Sequence, residues 1–232
     1  MPSDDRQEPF DAKLARLLSV YPQLSVDRSS LSNDWPRCRL YVAQVVALEQ
    51  FYSESVPPLS PRADFCILLS NACWFLFEQG LLGQSMQMLS TALAVGEATQ
   101  PESRFALSNV HRAFGGILLD LNKPDDALTH FSKILELGRH TSELATAKGL
   151  VNVALVELSL EQTAAAKEKI AEAEEIYSRH PKEAEGYRAI MLDVSGLAEA
   201  QAGDLQKGIQ RVRQAIALYD KNAGPRNYWS AL

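Results

Sequence analysis

Residues 141–180 read TSELATAKGLVNVALVELSLEQTAAAKEKIAEAEEIYSRH. Two runs at helical spacing are separated here by a short break: the first carries Asn152-Val153-Ala154, the break falls at Leu160-Glu161, and the second carries Ala166, Ile170 and Ala173. A helical hairpin of this size cannot bury its apolar side alone, so the fold turns on whether it recurs. It does. Upstream, Asn71-Ala72-Cys73 leads to Glu78-Gln79-Gly80 and then Ser85, Leu89, Ala92 and Leu93, and Ala113-Phe114-Gly115 leads to Leu121-Asn122 and then Ala127, Phe131, Ile134 and Leu135. Downstream, Val194-Ser195-Gly196 leads to Gly203-Asp204 and then Gly208, Val212, Ala215 and Ile216.

Small residues mark where helices cross. Cys73, Gly115, Ala154 and Gly196 stand at the crossing within each hairpin, and Ser85, Ala127, Ala166 and Gly208 stand where the second helix meets its neighbours. A bulky side chain at either place would push the backbones apart. With Cys66, Ser108, Ala147 and Ala189 as equivalent positions, the steps are 42, 39 and 42 residues. Pro101, Pro124 and Pro181 fall near helix starts, where a missing N–H costs little, and no period-two alternation suggests strands. The expected fold is all-α: a right-handed superhelical α-α solenoid of about four hairpins over 64–222, divided at 64–101, 102–140, 141–180 and 181–222.

The flanks are helical as well. Residues 1–34 hold a polar tail and an amphipathic helix with Phe10, Leu14, Leu17 and Leu18 on one stripe. Residues 35–63 hold a capping helix with Leu40, Tyr41, Val45, Leu48 and Tyr52, then a stiff linker at Pro57, Pro58 and Pro61. Residues 223–232 form a stub in which Tyr228, Trp229 and Leu232 begin another helix, and a chain cut from a longer array would end the same way.

Composition narrows function. With 23 basic against 29 acidic residues, a net charge of −6 and the basic residues dispersed, no phosphate-binding stripe exists and nucleic acid is not an expected partner. No apolar run approaches the roughly 20 residues of a membrane span, and the N-terminus lacks a basic-then-apolar leader, so a cytoplasmic, membrane-free location is expected. Cys38, Cys66 and Cys73 lie among apolar neighbours and read as buried reduced thiols. His111, His130, His140 and His180 have no metal-ligand spacing. His111 takes the place of a large apolar residue and is expected in the core. Lys167, Glu168, Lys169, Glu172, Glu174 and Glu175 read as a solvated outer face. Neither a nucleophile elbow, a Cys and His protease setting nor a phosphate loop is present, so neither catalysis nor a cofactor is expected.

The four registers resemble the tetratricopeptide repeat superfamily, in its roughly 42-residue variety. The segment Tyr21-Pro22, Trp35, Cys38, Tyr41-Val42, Val45, Leu48 and Tyr52 resembles the connector that precedes such repeats in fungal NOD-like signalling ATPases. That resemblance implies a non-catalytic scaffold that binds a protein or peptide in its concave groove, as a sensing or docking arm of a larger signalling protein. It places Asn71, Trp74 and Glu78, then Asn109, Arg112 and Asp120, then Lys148, Asn152 and Leu155, and finally Asp193 and Leu197 on the ligand-facing side. Arg112 and Lys148 are the anion contacts of this set, Asn71 and Asn152 the backbone contacts, and Trp74, Leu155 and Leu197 the apolar anchors. Trp74 keeps a second reading, packed against a neighbouring helix or the N-terminal cap. A carboxylate clamp of the chaperone-tail kind is poorly matched, because Ile67, Ala113 and Asn152 replace required polar or charged residues. Self-association through the solenoid ends is the alternative role.

Overall fold

A computed structural model describes residues 6–24 and 31–222 of the chain. Among these residues the regular structure is helical: α1 Gln7–Val20, α2 Trp35–Ser53, α3 Ala63–Glu78, α4 Leu82–Ala98, α5 Arg104–Asp120, α6 Pro124–Arg139, α7 Glu143–Ser159, α8 Thr163–Arg179, α9 Glu185–Gln201 and α10 Leu205–Asn222. The all-α expectation holds. The expected stub with Tyr228, Trp229 and Leu232 lies outside the described residues. The chain divides into two units, Met1–Ala113 and Phe114–Leu232, with the division inside α5.

One backbone feature recurs at the same register after every first helix. Gly80, Asn122, Glu161 and Gly203 all have positive φ, at 72°, 55°, 60° and 93°. Each sits fourteen residues beyond the equivalent Cys66, Ser108, Ala147 and Ala189. Around each, two backbone bonds close the helix end: Leu81 N–H to Leu76 C=O and Gly80 N–H to Phe77 C=O in the first, with Lys123 to Leu118, Gln162 to Glu157 and Asp204 to Glu199 repeating the longer bond. This satisfies carbonyls that a helix end otherwise leaves open and turns the chain sharply into the next helix. Glycine takes this conformation without strain; Glu161 does not.

Unit 1 is built around α3. Thirteen of its residues are buried, from Phe65 through Glu78, so it is apolar on nearly every side. Helices α1, α2 and α4 all pack on it. Phe10 of α1 meets Phe65 edge-on at 5.1 Å between ring centres, and Tyr52 of α2 lies 4.9 Å from the same ring. The capping helix departs from its expected stripe: Cys38, Val45, Leu48 and Glu49 are buried, whereas Leu40 is exposed. The cause is that α2 meets α3 along the line of Cys38 and Val45, seven residues apart, which rotates Leu40 to the outside. All three cysteines are buried free thiols, and burial pushes the Cys66 thiol up to about 12.

In unit 2 the crossings are as close as the small residues suggest. A Cβ added to Gly115 would stand 2.5 Å from the Phe131 ring, and one on Gly196 would stand 2.6 Å from Val212. Helix α7 approaches α6 backbone to backbone, a Cβ on Gly149 meeting the Leu135 Cα at 2.5 Å. The charged face of α8 is less idle than its sequence reads. Lys167 grips Glu199 of α9 at 2.7 Å and Lys169 grips Glu157 of α7 at 2.5 Å, both carboxylates being nearly buried. Lys207 of α10 reaches Glu199 from the other side at 2.6 Å. Among the histidines, His111 is buried as expected, and His130 stacks on Phe114 at 4.6 Å.

Glu161→Gly is expected to raise stability by about 1 kcal/mol, because it removes the Cβ penalty of the left-handed position. Thermal and urea unfolding of the two proteins checks this, with Glu161→Val expected to shift in the opposite direction.

Candidate functional site

The residues that the repeat register assigns to the ligand side fall into two local settings. In unit 1 they are not open. Asn71, Trp74 and Glu78 are all buried, with relative exposures of 1%, 1% and 7%, and their partners come from the N-terminal part of the same chain. The Asn71 Oδ1 accepts the Leu24 backbone N–H at 3.0 Å. The Glu78 carboxylate accepts three donors: the Leu31 backbone N–H at 3.3 Å, the Trp35 indole N–H at 2.8 Å and the Trp74 indole N–H at 2.8 Å. Arg112 lays its guanidinium 3.8 Å from the centre of the Trp74 ring. Expecting an open anchor at Trp74 is therefore corrected in favour of the packed reading: α3 is apolar on nearly every side, and Leu24, Leu31 and Trp35 meet the polar residues beside Trp74. Glu78 is likewise a structural acceptor and Asn71 an internal clamp.

Asn109 and Arg112 of α5 are half-buried, the Asn109 Nδ2 having no hydrogen-bond partner, and Asp120 is exposed at the end of the same helix.

Unit 2 presents the more open set. On α7, Lys148, Asn152 and Leu155 are half-buried, and on α9 Asp193 is half-buried and Leu197 exposed. The two helices touch. Lys148 sets its ammonium 3.6 Å from the centre of the Tyr187 ring, so the cation is held in place by an aromatic face that sequence reasoning did not single out. Asn152 and Asp193 take no hydrogen bond from the other described residues. Desolvation raises the Asp193 carboxyl above its ordinary value, which means that its charged form is held at a cost with no local donor to offset it.

Comparison with known proteins speaks to the fold. No protein-family model matches the chain, and no curated protein matches it. Among solved structures, the apo form of RapI superimposes with a TM-score of 0.61 at 16% identity, over 84% of this chain and 54% of RapI. BtubC from P. vanneervenii superimposes with a TM-score of 0.56 at 16% identity, over 96% of this chain and 94% of BtubC. The fold is tetratricopeptide-like. This chain thus spans about half the length of RapI, and at this identity the likeness is one of architecture. Among the described residues, no helix is long and apolar enough to cross a membrane.

Two outcomes test this placement. Glu78→Ala is expected to cost about 3 kcal/mol in urea unfolding, since it strands two indole N–H groups and one backbone N–H in the interior; a change within about 0.5 kcal/mol would mean that the carboxylate is not a structural acceptor. For Asp193 the pH dependence has a definite sign. A carboxyl whose folded pKa is raised weakens the fold above that pKa and is neutral in effect below the unfolded value near 3.8. Asp193→Asn should therefore be more stable than the parent at pH 7, with the difference vanishing as the pH falls below the ordinary carboxylate range.

Proposed function

We propose that the α7–α9 face of unit 2 is a docking surface for a peptide segment of a partner protein, and that the chain is a non-catalytic scaffold. One observation carries this reading. Asn71 and Asn152 stand at the same register, five residues beyond Cys66 and Ala147. Asn71 already holds a backbone N–H from a non-helical segment, at Leu24. Asn152 has the same chemistry and no partner among the described residues. A side-chain amide at this register is thus a backbone clamp: occupied from within at Asn71, and available to a second chain at Asn152.

The flanking residues set the ligand's character. Leu155 and Leu197 offer apolar contact, and Asp193 awaits an N–H or cationic donor. Tetratricopeptide-like folds generally serve protein binding, which supports a peptide occupant over a small substrate. The resemblance of the Tyr21–Tyr52 segment to the connector of fungal NOD-like proteins supports a place for the chain as the docking arm of a larger signalling protein.

Panning a random peptide display library on the full chain tests the proposal. Enriched sequences should combine an apolar anchor with a basic residue that meets Asp193. Synthetic versions should lose at least about tenfold in affinity to Asn152→Ala and to Leu197→Asp, a loss of about 1.4 kcal/mol or more, while the helical circular dichroism of both variants stays unchanged. Enrichment of no sequence, or equal affinity for parent and variants, would remove this face as the site.

A further inference from the structure

Four carboxylate side chains are nearly buried among the described residues: Glu49, Glu78, Glu157 and Glu199, at 6%, 7%, 7% and 6% exposure. A carboxylate taken out of water needs strong donors, and for three of the four these are N–H groups. Glu78 takes three of them, Glu157 takes Lys169, and Glu199 takes Lys167 and Lys207. Glu49 of α2 is the exception. Its donors are two hydroxyls, Ser53 Oγ at 2.8 Å and Thr91 Oγ1 of α4 at 2.6 Å, and both go to the same oxygen, Oε1. The other oxygen, Oε2, accepts no hydrogen bond from the described residues.

That oxygen is not sealed in the core. Glu49 lines a groove of about 470 Å³ between α2 and α4, and its Oε2 keeps access to solvent there. Val42, Val46 and Met88 wall the groove, and the exposed amides of Gln50, Gln84 and Gln87 edge it, none of them bonded to another described residue. No Lys, Arg or His lines it. Helix α4 contains no basic residue, and α2 has only Arg37 and Arg39 near its start, so neither wall can supply a cation to Glu49. The stretches that lead directly into and out of the two helices, residues 31–34, 54–62, 79–81 and 99–103, are described too, and none of them lines the groove.

We infer that the α2–α4 groove is a second docking surface, and that its occupant is a lysine side chain carried on a segment of a partner protein. Charge complementarity calls for a cation, and the state of the carboxylate says which. Each carboxylate oxygen offers about two acceptor sites, and the two hydroxyls fill those of Oε1. A guanidinium, whose two-pronged grip needs both oxygens, is therefore poorly matched. An ammonium is a compact point charge and needs only Oε2. Its remaining N–H groups meet the amide oxygens at the rim, and its four-carbon stem lies along Val42, Val46 and Met88. Glu157 and Glu199 show the same pairing satisfied from within, each by lysine. The reading is independent of the α7–α9 face and uses none of its residues.

The probe is a peptide display library with a fixed central lysine and random flanks, panned in parallel on the full parent chain and on Glu49→Gln, whose amide keeps the hydroxyl bonds and puts an N–H in place of Oε2. Sequences should be enriched on the parent alone. A synthetic peptide of the enriched sequence, followed by fluorescence anisotropy, should lose at least about tenfold in affinity to Glu49→Gln and as much on Nε-acetylation of its lysine, the loss expected for a charge-assisted hydrogen bond. Gln87→Lys, at an exposed position, supplies an ammonium from within and should displace the peptide likewise, which keeps the test decisive if Glu49→Gln fails to fold. Asn152→Ala and Asp193→Asn should leave the affinity unchanged. A loss to Asp193→Asn in place of Glu49→Gln would move the lysine to the α7–α9 face and overturn the proposal. So would equal affinity for parent and Glu49→Gln, arginine bound as tightly as lysine, or no enriched sequence at all, the result if the chain's own residues already fill the groove. Light scattering that shows a dimer dissolved by Glu49→Gln would overturn it too, by making a second copy the occupant.

Discussion

A helix that is apolar over most of its circumference cannot stand at a surface, and the first helices of this protein are of that kind. Residue after residue of α3 is buried from Phe65 to Glu78, and α7 and α9 bury long runs of their own. Each must be enclosed by other helices, because exposing a single large apolar side chain forfeits about 1.5–3 kcal/mol. The hairpins, the tight reversals and the small residues at the crossings are the means of enclosing them.

The polar groups set among these helices are what bears on function. At α3, Asn71 and Glu78 are met by the backbone of Leu24 and Leu31, outside the helices, and by Trp35 at the start of α2. Between α2 and α4, Glu49 keeps one oxygen that no described residue uses. The α7–α9 face keeps an amide and an acid whose hydrogen-bonding capacity the rest of the described chain does not use. A buried or half-buried polar group without a partner is costly to maintain, and a ligand that supplies the partner recovers that cost on binding.

Ion pairing does in unit 2 what apolar contact does elsewhere. Glu157 and Glu199 occupy one register and are each gripped by lysines of α8, with Lys207 of α10 adding a second hold on Glu199. A nearly buried carboxylate is costly without such partners. Two lysines that look idle in the sequence are in this way tied to the stacking of one hairpin on the next.

How much of this was legible in advance depends on the range of the forces involved. Helical period, the position of each reversal and the small residues at the crossings are local or repeat at fixed spacing, so four copies of one pattern announced the all-α, tetratricopeptide-like fold. Even the left-handed residue was visible at Gly80 and Gly203, though not at Glu161, where side-chain identity gives no sign of the strain. Which residues of the ligand-facing register stay open was not legible. Asn71 and Asn152 are the same residue type at the same register, and only the tertiary structure decides that Leu24 lies on the first while the second is left without a partner. The reason is physical: a sequence fixes what a side chain can bond, through its donors, acceptors and apolar area, whereas whether that capacity is already used depends on which distant segment comes to rest against it.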